Sequence, residues 1–145
     1  MRACRPAHLP VDLRRRRPQR ALQPLRLPGP RPERAAGAAA AVQVVNNSTG
    51  KCLAVDAAGT GNGVPIVQQT CASGSAAQRF TFVPTDAGYY RIVSQLSGRV
   101  VDIAGVSAAQ GAKTIQWDYL GGRNQQWKPA AQGYGGWTFV ARHTS

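Results

Sequence analysis

An internal repeat of 48 residues limits which folds this chain can adopt. The stretch 49–55 (TGKCLAV) aligns with 97–103 (SGRVVDI) at this offset. A second glycine follows the first by thirteen residues in each copy, at Gly63 and Gly111, and each copy closes on Gln-x-aromatic, at 78–80 and 125–127. Self-similarity at a fixed period indicates an architecture built from equivalent structural units.

The same offset relates 90–93 to 138–141, so a third copy begins near the end of the chain. We therefore divide the globular part, 41–145, into unit one (41–88), unit two (89–136) and a partial unit three (137–145). This division predicts that the chain stops inside its third unit.

Inside each unit, short β-branched or aromatic runs alternate with Gly-rich and polar turns, and no amphipathic helix of useful length occurs. About four strands in each unit, without helices, predict an all-β fold. The predicted strands are 42–45, 52–55, 64–68, 79–83, 89–93, 100–103, 112–117 and 126–128.

The order Gly-Lys-Cys-Leu-x-Val, Asn-Gly, Gln, Cys and a closing Gln-x-Phe or Gln-x-Trp resembles the ricin-B lectin repeat, over 42–145. The resemblance implies a β-trefoil, in which three four-stranded units surround a pseudo-threefold axis, here incomplete. It also implies non-catalytic carbohydrate binding, as in the modules attached to bacterial glycosidases. Because open strand edges favour association, we expect the isolated chain to be unstable or to associate.

Lectins of this family hold a sugar with an Asp in the Leu-Asp-Val strand, an aromatic about fifteen residues later, and the Asn-Gln of the closing motif. Unit two carries Asp102, Trp117, Asn124 and Gln125 at these positions. A carboxylate forms strong charge-assisted hydrogen bonds with hydroxyls, and an indole offers a flat apolar face. The simpler interpretations are a turn acid, a core tryptophan and a structural glutamine.

Period-two alternation points Asp102 away from the core, because Val101 and Ile103 flank it in a predicted strand. An outward carboxylate favours the ligand interpretation. Trp127, the aromatic of the closing motif, we assign to the core instead.

Unit one departs from this pattern, with Ala54, Gln69 and Ala77 in place of the Asp, the aromatic and the Asn. We therefore expect its pocket to be inactive. It keeps Cys52 and Cys71, which form either a disulfide or two reduced buried thiols. A disulfide is the interpretation that the repeat favours; it would contribute about 3 kcal/mol and indicate export. Unit two has a hydrophobic pair, Val100 and Tyr119, at the same positions.

The leader, 1–40, holds ten arginines against Asp12 and Glu33, which is +8 of the formal net charge of +12. Its Arg/Pro-rich part, 1–34, is predicted to be disordered, because it cannot bury enough apolar surface. Three interpretations fit: a mis-assigned start, a solvated linker, or a basic arm for nucleic acid or an anionic surface. The leader lacks the apolar run of a signal peptide, and no stretch is long enough to span a bilayer.

The globular part offers no arrangement for catalysis. Its four acids, Asp56, Asp86, Asp102 and Asp118, occur singly, and His143 has no nucleophilic or acidic partner in the pattern. We therefore expect no catalytic residues, metal or cofactor. The expected partners are mono-, oligo- or polysaccharides of galactose or xylose type. Nucleic acid is not expected for the mildly basic folded part.

The sequence thus predicts a secreted lectin module. It could be a fragment or the binding tail of a glycan-active protein. The alternatives are the binding remnant of a glycoside hydrolase, and nucleic-acid or anionic-surface binding through the leader.

Overall fold

The structure, a computed structural model, describes the backbone of residues 2–4 and residues 40–145 in full. The regular secondary structure of these residues consists of short strands and single 3-10 turns, which confirms the predicted all-β fold. The strands are β1 (Arg2–Cys4), β2 (Gln43–Val45), β3 (Cys52–Val55), β4 (Ile66–Gln69), β5 (Phe80–Pro84), β6 (Tyr90–Ser94), β7 (Val100–Ile103), β8 (Thr114–Trp117), β9 (Trp127–Ala131) and β10 (Trp137–Ala141).

Five 3-10 turns of three residues follow strands or lead into them, where the sequence predicted only turns. They are Asp56–Ala58, Ala76–Gln78, Ala104–Val106, Arg123–Gln125 and Arg142–Thr144. Within the described residues, no helix has the length and apolar character needed to cross a bilayer.

The 48-residue repeat of the sequence is also a repeat of the structure. In unit one, β3 pairs with β4 and places Cys52 opposite Gln69; in unit two, β7 pairs with β8 and places Val100 opposite Trp117. Both hairpins are antiparallel and have the same register at the offset of 48. The repeated residues therefore specify the same hairpin twice.

Consecutive units are joined through their outer strands. β5 pairs with β6 along five residues, and β9 pairs with β10 in the same antiparallel way. The opposite edge of β6 pairs with β7 and β9, through Val93–Val100 and Tyr90–Trp127. The last strand of each unit, β5 or β9, thus pairs with the first strand of the next unit.

The first strand, β1, lies along β2, with Arg2 opposite Val45 and Cys4 opposite Gln43. β5 has the same relation to β6, with Thr81 opposite Val93. Arg2–Cys4 therefore take the position that the last strand of a preceding unit would take. The leader was predicted to be disordered. Three of its residues lie in this strand, whereas Met1 and 5–39 lie outside the described residues.

One core serves all the units. Its buried apolar side chains come from both units and from β10: Val55, Ile66, Ala77, Phe80, Ile92, Val101, Trp127 and Ala141. The prediction that Trp127 belongs to the core is confirmed, since its side chain is buried and its Nε1 donates to the Val101 carbonyl at 3.0 Å. Burial of an indole with its N–H paired stabilises the fold without an unsatisfied donor.

Cys52 and Cys71 form a disulfide, as the repeat suggested, and it links β3 to the segment that follows β4. In unit two, Val100 is buried at the position of Cys52. Tyr119, at the position of Cys71, lies under the guanidinium of Arg91, 4.8 Å from the ring centroid. A contact of this kind is worth about 0.5–1 kcal/mol when exposed. The disulfide therefore restrains this position in unit one more strongly than the Arg91–Tyr119 contact does in unit two.

Candidate functional site

Unit two has a surface cleft of about 330 Å³ between its β7–β8 hairpin and the turn that precedes β9. All four site residues predicted from the sequence line it: Asp102 from β7, Trp117 from β8, and Asn124 and Gln125 from the 3-10 turn Arg123–Gln125. The other lining residues are Gly105, Val106, Ile115, Leu120 and Gly122.

Asp102 lies at the floor of the cleft, with 6% of its surface exposed. Its Oδ1 accepts a hydrogen bond from Asn124 Nδ2 at 2.7 Å, and its Oδ2 accepts one from Gln125 Nε2 at 2.8 Å. An ionised carboxylate has about four lone-pair sites, so roughly two remain for a ligand. The carboxylate faces away from the core, as the alternation predicted, although it is largely buried and not on the open surface.

Asn124 adds a second acceptor to the cleft. Its Nδ2 also donates to the Ile103 carbonyl at 3.2 Å, while its Oδ1 accepts no hydrogen bond from the described residues. A Cβ on Gly122 would lie 2.5 Å from this Oδ1. A side chain at 122 would therefore displace the Asn124 amide from this position.

Gln125 is buried, and its polar atoms are engaged within the protein. Besides Asp102, its Nε2 donates to the Asp118 carbonyl at 2.8 Å, and its Oε1 accepts from the Leu120 backbone N–H at 2.8 Å. The side chain therefore fixes the Asp102 carboxylate and brackets the loop 118–120. Gln125 therefore lines the cleft as a positioning residue, because its amide is engaged within the protein.

Trp117 forms the exposed wall of the cleft, and unit one supports it from behind. A Cβ on Gly63 would lie 3.7 Å from Cζ3 of the indole, so the unit-one turn passes close to the ring. The Gly63 N–H donates to the Gln116 carbonyl at 2.8 Å, and the Gln116 N–H donates to the Val64 carbonyl at 2.9 Å. These bonds hold the strand that carries Trp117.

A polar network strengthens the same contact between the units. Asn62 of unit one donates to Asp118 Oδ2 at 3.0 Å and accepts from the Asp118 backbone N–H at 2.9 Å. Arg99 donates to Asn62 Oδ1 at 2.7 Å and lies 3.3 Å from the Asp118 carboxylate. The sequence does not predict this network, because 56 residues separate Asn62 from Asp118 and no local pattern links them.

Two exposed apolar side chains at the cleft are not among the site residues predicted from the sequence. Val106 is 55% exposed and Leu120 is 76% exposed. The 48-residue offset carried the signal that could have found them, because both residues stand where unit one has alanine, Ala58 and Ala72.

Unit one has the same framework without the polar floor. Ala54 and Ala77 are buried at the positions of Asp102 and Asn124. Gln78 keeps the bracket, since its Oε1 accepts from the Ala72 N–H at 2.7 Å and its Nε2 donates to the Thr70 carbonyl at 2.9 Å. The backbone arrangement is thus shared, while the acceptors for a ligand occur in unit two.

His143 lies in the last 3-10 turn and is half-buried. Its Nε2 lies 3.0 Å from the Ser107 carbonyl. No group of three or more His, Cys, Asp or Glu side chains within the described residues is placed to hold a metal ion.

The repeated hairpins, the shared core and the closing Gln-x-aromatic turns define a β-trefoil lectin-like protein. The model of the ricin-type β-trefoil lectin domain-like family matches residues 33–117 and 76–145, and the chain belongs to this family. Ricin-type lectin domains typically bind carbohydrate without catalysing a reaction. No curated protein matches the chain.

Solved structures agree with this assignment. The designed threefold-symmetric protein ThreeFoil is 37% identical, with a TM-score of 0.68 over 70% of this chain and 72% of that protein. An exo-β-1,3-galactanase from Clostridium thermocellum, 1,3Gal43A, is 36% identical with a TM-score of 0.68, over 71% of this chain. The chain matches 22% of the galactanase. A Polyporus squamosus lectin, 19% identical with a TM-score of 0.61 over 72% of this chain and 36% of the lectin, shares the fold.

Proposed function

We propose that unit two binds a carbohydrate without catalysis, as the binding module of a secreted glycan-active protein. The observation that carries the proposal is the Asp102 carboxylate, held by two amides and open to the cleft beside Trp117. Asp102 and Asn124 Oδ1 accept hydrogen bonds from sugar hydroxyls, and the indole contacts the C–H face of the ring. Gln125 acts through Asp102.

The chemistry of the cleft favours a neutral polyol over an anion. Asp102 and Asn124 Oδ1 offer acceptors to the cleft, and a buried carboxylate repels a negatively charged ligand. Hydroxyl donors satisfy such acceptors, whereas phosphates and carboxylates do not. Galactose- and xylose-type sugars, as single residues or within polymers, meet this requirement.

Similarity to the galactanase supports a ligand that contains galactose and supports attachment to a glycan-degrading enzyme. The disulfide supports export, because such bonds persist in oxidising compartments. A shallow cleft with one aromatic wall and a few polar contacts binds with a Kd of about micromolar to millimolar, or roughly −4 to −8 kcal/mol.

The test is calorimetric titration of the 145-residue chain with galactose, xylose and their polymers. Asp102→Ala should weaken binding at least about 100-fold, because it removes charge-assisted hydrogen bonds worth about 1.5–3 kcal/mol each. Asp56→Ala is the matched control and should bind like the unchanged chain. Salt should have little effect on binding to a largely uncharged ligand. Equal binding by Asp102→Ala would reject the proposed site.

A further inference from the structure

The cleft of unit two has a strained residue at its rim. Val106 has a φ of 54°, in the left-handed region, as the last residue of the turn Ala104–Val106. A β-branched side chain is rarely found there, because its two γ carbons crowd the backbone. Strain of this kind clusters at functional sites, where the observed outlier motivates a hypothesis of function.

The side chain at this position is also exposed and apolar. Val106 is 55% exposed, and Leu120, which lines the same cleft, is 76% exposed. Neither residue belongs to the core or packs against it among the described residues. Both therefore leave apolar surface in water beside the polar floor formed by Asp102 and Asn124.

Unit one shows that the turn does not require a large side chain. Ala58 holds the equivalent position with a φ of 51°, and Ala72 stands where unit two has Leu120. The unit without the carboxylate thus has small residues at both rim positions. The unit with the carboxylate has large apolar ones, one of them in a strained conformation.

We infer that Val106 and Leu120 form a second contact surface, which takes the C–H face of a sugar ring next to the one held by Asp102. The ligand of unit two is then an oligosaccharide, and these two residues set the preference for it over a monosaccharide. This inference rests on the proposed function. An apolar aglycone presents the same chemistry as a second ring, and the experiment separates the two.

The experiment compares the affinity of the 145-residue chain for four probes: galactose, a β-linked galactobiose, methyl galactoside and benzyl galactoside. We expect the unchanged chain to bind galactobiose at least about fivefold more tightly than galactose. Partial burial of two or three methyl groups accounts for a gain of this size. Val106→Ala and Leu120→Ala should each reduce this preference severalfold.

Val140→Ala is the matched control. It makes the same change at an exposed position in β10 that does not line the cleft, and it should leave the preference intact. Val106→Asn adds an independent measure of strain, because asparagine tolerates the left-handed region. This variant should lose the preference and raise Tm by a few degrees.

The outcomes separate this inference from the proposed function. Equal binding of galactose and galactobiose that is still lost in Asp102→Ala would overturn the second contact surface alone. A gain for benzyl galactoside without a gain for galactobiose would replace the second ring by an aglycone. A lower Tm in Val106→Asn would overturn the strain argument. No binding to any probe would reject the proposed function together with the inference.

Discussion

Units one and two share a backbone and differ in chemistry. Both have a hairpin of the same register, a turn with consecutive left-handed residues (Ala57–Ala58 and Gly105–Val106), and a buried glutamine that brackets the loop preceding it. Unit one adds a disulfide and lacks the carboxylate; unit two has the carboxylate and no disulfide. The comparison shows that the repeated residues specify the framework, while a few substituted side chains decide which polar groups each unit presents.

The difference extends to what holds each loop. In unit one, Cys71 is joined covalently to β3, so the loop after β4 is fixed from within the unit. In unit two, the equivalent loop is held by Gln125, by Arg91 over Tyr119, and by the Asn62–Asp118 contact with unit one. The site of unit two therefore depends on its neighbour for support.

Transferring the candidate site to unit one is the strongest test of how the two units differ. The triple variant Ala54→Asp, Gln69→Trp and Ala77→Asn gives unit one the three groups that it lacks. We expect a second site of micromolar to millimolar affinity, because Gln78 already occupies the position of Gln125 and can fix the new carboxylate. Calorimetry should show a rise in stoichiometry from one to two.

Gln69→Trp alone is the control for the transfer, since an indole without the carboxylate should create no site. A folded triple variant that still binds one ligand per chain would show that unit one differs in more than these three side chains.

Removing the disulfide tests whether unit one is the firmer unit. Cys52→Ala with Cys71→Ala should lower the free energy of unfolding by about 3 kcal/mol, because the denatured chain regains the freedom of the 19-residue loop. Urea denaturation measures this change. Cys4→Ser, which leaves the Cys52–Cys71 bond intact, should be unaffected. A decrease in the free energy of unfolding of less than about 0.5 kcal/mol would show that the disulfide is not the main stabilising cross-link of unit one.

The two bracketing glutamines provide a matched pair of variants. Gln78→Ala and Gln125→Ala should each cost about 1–3 kcal/mol of stability, since each leaves buried backbone groups unpaired. Gln125→Ala alone should also weaken sugar binding, because it releases the Asp102 carboxylate. Denaturation and calorimetry on both variants measure the two effects, and equal binding by the two would show that Gln125 does not position Asp102.

The smallest expected effect concerns the ion pair between the junction of the units and the end of the chain. Hydrogen bonds from Arg142 hold the pKa of Asp86 below its ordinary value of 3.8. Because the folded pKa is the lower one, the contribution of Asp86 is complete above the unfolded pKa and is lost as pH falls through the folded value. It should therefore be constant at neutral pH and disappear under acid conditions.

Asp86→Asn tests this contribution against the unchanged chain. The variant should show a slightly shallower loss of stability between about pH 5 and pH 2, and equal sugar binding at neutral pH. Thermal unfolding followed across this range provides the measurement. Identical acid profiles would show that the exposed pair contributes nothing measurable, as many surface pairs do.

Much of the fold could be predicted from the sequence because the repeat is local and periodic. The eight strands predicted for units one and two all occur, most with ends shifted by one to three residues, and β10 lies where the offset placed it. The role of Trp127 followed from the closing motif. The position of Arg2–Cys4 against β2 did not, because nothing in an Arg/Pro-rich leader indicates pairing with a strand about forty residues away.

The repeat, the all-β architecture, the Cys52–Cys71 pair and the four side chains that meet in the cleft of unit two could all be predicted from the sequence. Periodicity and residue type predict the repeat and the all-β architecture, whereas the disulfide and the four site residues are what the resemblance to the ricin-B lectin repeat implies. Three findings required the folded structure: Gln125 is engaged within the protein, Gly63 supports Trp117, and Val106 and Leu120 extend the cleft. These roles depend on where side chains from distant segments come together, and hydrogen-bond partners across that distance leave no pattern in a single sequence.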